Sequence, residues 1–308
     1  MLRYRLLSAL VIISSALVFV GLDARGPVLG CTGFWMIPLG LYLIYGSAVE
    51  CVWMGHHGEF RGIAAPALIG CGGVMLAATV PAYWPLLTGA SYPADCLLGS
   101  LGWPLAASMI SLVGCFLWFM RSYQPHSGSL MRSLLAGWVS VYFGGCFAFA
   151  LALRLTGSSG WGLYLLVGVI LVTKFSDAGA YFAGRALGRT KLCPNVSPGK
   201  TVEGLVGGVV VAILASWIYF KICAPRVFEA DQLQVSTWGV VLLGTLLTLA
   251  GVAGDLLESI FKREMGYKDS GRLLPGLGGL WDVTDSLLPA SVVGYLIVVA
   301  QLIQGPGQ

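Results

Sequence analysis

Two acidic pairs near the end of this 308-residue chain have a spacing that suits a metal site. Asp282 and Asp285 stand three apart, so on a helix they share one side; Asp255 and Glu258 repeat that spacing on the preceding apolar segment. Two such pairs at neighbouring helix ends could converge on a hard cation through oxygen ligands, which suits Mg²⁺. The same spacing serves carboxylates that cap helices at a membrane surface and pair with Lys262 or Arg263. The pairs alone do not choose between these readings.

A second cluster is basic. Ser197-Pro-Gly-Lys200-Thr201 is short and small, and the sequence predicts that it leads straight into a helix. Backbone N–H groups, hydroxyls, an ammonium and a helix N-terminus together make an anion site. A plain helix N-terminus reads the same way, and the loop is no Walker A motif, because Pro194 stands where that motif needs Gly. Gly276–Gly279, between the acidic pairs, lets backbone approach a ligand closely or turn sharply.

The acidic residues are unevenly placed. Ten of the 14 fall after residue 170: Asp177, Glu203, Glu229, Asp231, Asp255, Glu258, Glu264, Asp269, Asp282 and Asp285. All but Glu229 and Asp231 sit in or at the ends of apolar segments, where an ionised carboxylate is expensive unless paired, hydrated or metal-bound. The carboxylates suit a metal and the cations suit phosphates. A polyphosphate would arrive from water and a lipid from the side.

The elements that hold these residues must be membrane helices. Charged residues make up 10% of the chain and mean hydropathy is +0.82, so a water-facing surface of this size could not be covered. Apolar runs of helix length exclude disorder, a coiled coil, a disulfide scaffold and a porin-like barrel. The expected fold is all-α and polytopic, with about nine spans near 6–22, 28–49, 63–84, 96–119, 133–153, 161–175, 204–222, 237–254 and 286–303. The first span follows Arg3 and Arg5 and reads as a retained anchor. One integral membrane domain covers 1–308, with a scaffold half at 1–160 and a catalytic half at 161–303.

With the N-terminus cytoplasmic, only Arg25, Arg154, Lys221 and Arg226 of the 18 Lys and Arg residues fall outside. That asymmetry predicts this orientation and an odd span count. The net charge of +4 is therefore a topology signal, and no basic, aromatic-interleaved patch points to nucleic acid. The eight cysteines are scattered without a CxxC pair and read as apolar fillers. His56 and His57, with Glu50 and Glu59, read as a polar interfacial loop.

The motifs resemble a known family. Ser259-x-Phe-Lys262-Arg263-x4-Lys268-Asp269-x-Gly-x2-Leu-Pro275-x-x-Gly278-Gly279-Leu-x-Asp282-x-x-Asp285 is similar to the signature of phosphatidate cytidylyltransferases, the CDP-diacylglycerol synthases. Ser197-Pro-x-Lys200-Thr201-x-Glu203-Gly204, Asp177-x-x-Ala-Tyr181 and Gly254-Asp255-Leu-x-Glu258-Ser259 match the family's other motifs. The likeness covers about residues 170–290. Leu277 stands where the family has His, Val283 where it has Arg, and Gly199 where Lys is frequent.

The resemblance implies an Mg²⁺-dependent transfer of the cytidylyl group of CTP to phosphatidate, giving CDP-diacylglycerol and diphosphate, at the cytoplasmic face of the inner cell membrane. A second, monovalent cation and a homodimer are left open. On this reading Asp255 and Asp282 are the principal metal ligands and Asp285 supports them. Lys200, Lys262, Arg263 and Lys268 contact phosphates, with Ser197 and Thr201 as hydroxyl donors. Glu203 and Asp269 orient those cations, and Asp177 is either a further ligand or a partner for Arg185. The identity of the base rests on the resemblance alone. Another CTP-using lipid enzyme, such as a polyprenol kinase, shares these requirements but releases a nucleoside diphosphate. A cation-coupled transporter would also place carboxylates in spans, but it is expected to show internal inverted repeats, and none is found.

Overall fold

The computed structural model describes residues 2–55, 61–121 and 123–307; His56, His57 and Glu59 lie outside them. Among the described residues, eight helices are long and apolar enough to cross a membrane. They are α2 (Met36–Met54), α3 (Ala64–Thr88), α4 (Gly102–Met120), α5 (Ser129–Arg154), α6 (Ser159–Leu187), a helix over Val202–Val227, α9 (Thr237–Glu264) and a helix over Trp281–Val299. The Val202–Val227 span comprises α7 (Val202–Trp217), a π-helical stretch (Ile218–Cys223) and α8 (Ala224–Val227); the last span comprises α10 (Trp281–Thr284) and α11 (Leu287–Val299). The apolar helix α1 (Leu2–Asp23) precedes them, so the nine expected segments are all helices. The protein is a polytopic, all-α membrane protein. Its few strands are short: β1 (Lys191–Cys193) pairs with β2 (Ser197–Thr201), and β3 (Gln234–Val235) with β4 (Ile303–Gln304), both antiparallel.

Three boundaries move for physical reasons. The span expected at 161–175 continues to Leu187, and the one at 237–254 continues to Glu264. A fall in hydropathy marks the edge of the apolar zone; it does not end a helix, which needs a cap or a breaker. The span expected from residue 28 begins at Met36, because Gly30 and Gly33 adopt φ near +80° and turn the chain first.

The chain forms two compact units. One is Met1–Ala152 with Glu264–Thr284; the other is Leu153–Arg263 with Asp285–Gln308. In the first, Trp281 is fully buried and meets the Phe143 ring edge-on at 5.3 Å. Leu280 packs onto Gly46, and Ser47 Oγ lies 2.8 Å from Thr284 Oγ1. These contacts wedge α10 against α2 and α5. Ser140 of α5 donates to the Ala67 carbonyl of α3 at 3.0 Å, a polar tie between apolar helices.

In the second unit, α6 and α7 approach closely through small residues. A Cβ at Gly179 would lie 2.6 Å from Val211 Cβ, and one at Gly207 would overlap Ala183 Cβ. Without a hydrophobic drive between helices in lipid, such close backbone packing holds them together. Tyr164 and Tyr219 stack at 4.2 Å, and each hydroxyl donates to the other's carbonyl, at 2.7 and 2.9 Å. Ser176 of α6 donates to Thr248 of α9 at 2.8 Å. Gly207→Val is expected to push α7 off α6 and destabilise the fold by about 1–3 kcal/mol. A lower unfolding midpoint in detergent would show it; a wild-type midpoint would contradict the tight packing.

Candidate functional site

The β1–β2 hairpin and α9 meet through one ion pair. Lys200, near the end of β2, places Nζ 2.9 Å from Asp255 Oδ2 on α9, and also 3.4 Å from the Val252 carbonyl. Asp255 accepts a second bond from Ser259 Oγ, one turn later, at 3.3 Å. The Asp255 side chain is 41% exposed and Lys200 is 20% exposed. The pair is thus formed but open to a ligand. Sequence reasoning named both residues without pairing them.

Asp285 lies close by within the same unit. Gly254 has no side chain, so α9 packs directly on the backbone of Asp285. Asp285 is buried, its Oδ1 accepts from the Ser286 N–H at 2.6 Å, and it is within electrostatic reach of Asp255, Lys174 and Asp177. Asp177 Oδ2 accepts from Lys174 Nζ at 3.4 Å and from Ser286 Oγ at 3.0 Å. Lys174 also donates to Ser286 Oγ at 3.0 Å. Arg185, the other expected partner of Asp177, donates instead to the Tyr181 hydroxyl at 3.2 Å. Three carboxylates and two ammonium groups therefore gather around the junction of α9 with the start of α11.

Other residues have local work. Thr201 caps α7, its Oγ1 accepting from Gly204 N–H at 3.1 Å, so Ser197–Thr201 leads straight into a helix as expected, and the segment itself is a short strand. Glu203 holds backbone, accepting from Arg189 N and Thr190 N at 3.1 Å. Lys262 pairs at 3.0 Å with Glu258, whose side chain is 1% exposed. A buried carboxylate needs such a partner, so this pair fits the structural alternative that the spacing left open. Arg263, Lys268 and Asp269 are exposed, and Ser197 is half-buried.

In the first unit, Asp282 anchors a loop. Its Oδ2 accepts from Ser270 N, Ser270 Oγ and Gly279 N, each at 2.8 Å. Gly276 and Gly278 have φ of +82° and +96°, so the Leu274–Gly278 turn needs glycine at both positions. Asp282 lies in α10, whereas Asp285 follows the end of that helix. The helix breaks between α10 and α11, and each carboxylate is engaged inside its own unit.

Sequence reasoning missed Glu50. Its Oε1 accepts from Leu280 N and its Oε2 from Trp281 N, both at 2.9 Å, and Ser270 Oγ, which also contacts Asp282, lies 2.9 Å from Oε2. It was read as part of a polar loop, yet it lies within α2, one turn before the end of that apolar helix. A lone carboxylate in such a helix must be satisfied by something, and that was the available signal.

Among the described residues, no three His, Cys, Asp or Glu side chains are clustered to hold a metal ion. Mg²⁺ does not require such a cage: it keeps several waters and binds one or two carboxylates plus substrate phosphates. The partly exposed Asp255, beside Asp285, fits that donor chemistry.

A family model described as the cytidylyltransferase family matches residues 5–300. The chain is similar to the phosphatidate cytidylyltransferase of Haemophilus influenzae, 43% identical over 129 residues, 42% of this chain and 43% of that protein. It is 39% identical over 149 residues to the Bacillus subtilis protein of the same name, covering 48% and 52%. It is also 35% identical over 195 residues to the uncharacterized protein YnbB of Escherichia coli strain K12, covering 63% and 61%. The chain therefore matches only about half the length of these curated relatives.

Proposed function

From the premise that the chain belongs to the cytidylyltransferase family, we propose that it joins CTP and phosphatidate into CDP-diacylglycerol, releasing diphosphate. The Lys200–Asp255 pair, at 2.9 Å and open to a ligand, carries this reading. A phosphate oxygen of phosphatidate attacks the α-phosphorus of CTP, and the bond from that phosphorus to the bridging oxygen breaks. Diphosphate leaves with the electron pair. The attacking oxygen is already ionised near neutral pH, so no strong general base is required. The protein must instead align two anions and neutralise their crowded charge.

Mg²⁺, when bound, supplies Lewis-acid neutralisation of the phosphate oxygens. Asp255 would hold it, with Asp285 in support; a part for Asp282, held by its own loop, is proposed from the family resemblance alone. Lys200 then exchanges one anion for another. Its ammonium, held beside Asp255 by the hairpin, turns to a phosphate while the Val252 carbonyl keeps it near. Lys174, between Asp177 and Ser286, is a second cation of the same cluster. Lys268 and Arg263 are exposed cations available to phosphate, whereas Lys262 serves mainly to neutralise buried Glu258.

Complementation tests the reading in a cell. The wild-type chain should support growth of a strain depleted of its own CDP-diacylglycerol synthase. A well-expressed, membrane-inserted chain that fails to do so counts against the proposal.

The proposed location is the inner membrane, with the site on the cytoplasmic face. Fourteen of the 18 Lys and Arg residues fall on the side of the N-terminus, which favours this orientation. A reporter fused after the last residue is expected to be active only outside the cytoplasm. Cytoplasmic activity would contradict the orientation.

A further inference from the structure

We propose that Glu50 is a positioning residue, which sets the Asp282 carboxylate through Ser270 and the loop backbone. The kinetic part of its test rests on the function proposed above; the exchange part does not.

Ser270 stands between two carboxylates. Its Oγ is 2.9 Å from Glu50 Oε2 and 2.8 Å from Asp282 Oδ2, yet a hydroxyl has a single proton to give. Whichever carboxylate receives it, the other faces an oxygen lone pair. Backbone N–H groups must therefore hold both in place, and the structure provides two for each. Leu280 N and Trp281 N donate to Glu50 at 2.9 Å; Ser270 N and Gly279 N donate to Asp282 at 2.8 Å. Ser270 is fully buried, so water does not compete for these bonds.

Glycine makes room for the arrangement. A Cβ at Gly271 would lie 2.5 Å from Glu50 Oε1, and one at Gly279 would overlap Glu50 Oε2. The loop thus wraps around the Glu50 carboxylate, and α2 supplies the fixed point. Both oxygens of Glu50 accept from N–H donors, so the side chain must be an anion of this length. In Glu50→Gln, either orientation of the amide turns an N–H donor against the backbone N–H of Leu280 or Trp281, with the shape unchanged. The loop would relax, and the Asp282 carboxylate with it.

The test uses the full-length protein in nanodiscs, as wild type, Glu50→Gln, Ser270→Ala and the double variant. Glu50→Gln should lower kcat by about 10- to 100-fold, the usual loss when a residue supporting a reactive group is removed. KM for CTP should stay nearly unchanged. Ser270→Ala should show a smaller loss, and the double variant should be no slower than the worse single variant, as coupled residues require. Hydrogen exchange should quicken in peptides covering 268–284 and stay unchanged in the other helices. Wild-type kcat with wild-type exchange in Glu50→Gln would overturn the proposal. Losses that multiply in the double variant would do so as well. Should Glu50→Gln fail to insert, Ser270→Ala decides, because full activity there contradicts the link to Asp282. If the wild type itself makes no CDP-diacylglycerol, the proposed function fails, and exchange in 268–284 alone decides the role of Glu50.

Discussion

Asp255→Asn is expected to lower CDP-diacylglycerol formation on the order of 10²–10³-fold, comparable to losing one electrostatic contact to a transition state. The substitution keeps the size of the side chain and removes its charge. With its oxygen in the place of Oδ2 the amide can still accept from Lys200, and its NH2 can donate to the Ser259 hydroxyl, so the link between hairpin and α9 remains. What is lost is an anionic oxygen for a divalent cation, and with it the neutralisation of two phosphorylated substrates. The cost to the fold should be small, because a partly exposed ion pair contributes only about 0–1 kcal/mol. Activity and unfolding midpoint should therefore separate: the rate collapses while the midpoint barely moves. Near-normal turnover at saturating Mg²⁺ would remove Asp255 from the proposed ligand set.

Asp282→Asn should also abolish most turnover, roughly 10²–10³-fold on the same comparison, while the loop keeps its shape. An Asn oxygen can take the place of Oδ2 and accept from Ser270 N and Gly279 N. Each bond weakens from charge-assisted to neutral, a change worth about 1 kcal/mol. Asp282→Leu removes the acceptor altogether. It leaves two buried N–H groups unpaired, at about 1–3 kcal/mol each, so it should lose stability and activity together. Comparing the two separates the charge of Asp282 from its structural role. Equal activity in Asp282→Asn and wild type would leave Asp282 with the structural role alone.

The helices were legible because a membrane span needs about 20 apolar residues, and that signal survives in a single sequence. Their extensions to Leu187 and Glu264 were not, since Lys174, Asp177, Asp255 and Glu258 lower hydropathy without breaking the helix. The β1–β2 hairpin was hidden as well. Ser197-Pro-Gly-Lys-Thr201 has no alternating apolar pattern, and its pairing with Lys191–Cys193 is irregular. Residue types were legible in the sequence, and their partners much less so. Asp255 and Lys200 were each recognised, but the 2.9 Å contact joins residues 55 positions apart. Spacing assigns Asp282 and Asp285 a shared face only while a helix continues, and α10 ends at Thr284, before Asp285. Of the residues that depart from the family pattern, Gly199 is exposed with open space around it. Leu277 lies in the glycine turn and Val283 in α10, both half-buried, and nothing in the structure explains why this chain carries them.

The most direct measurement uses purified protein in nanodiscs with phosphatidate, Mg²⁺ and each nucleoside triphosphate in turn, following the lipid product and the released phosphate species. The proposed function predicts CDP-diacylglycerol and diphosphate in equal amounts, formed from CTP and lost when Mg²⁺ is chelated. Release of a nucleoside diphosphate with a phosphorylated lipid, or no liponucleotide from an active preparation, would contradict it.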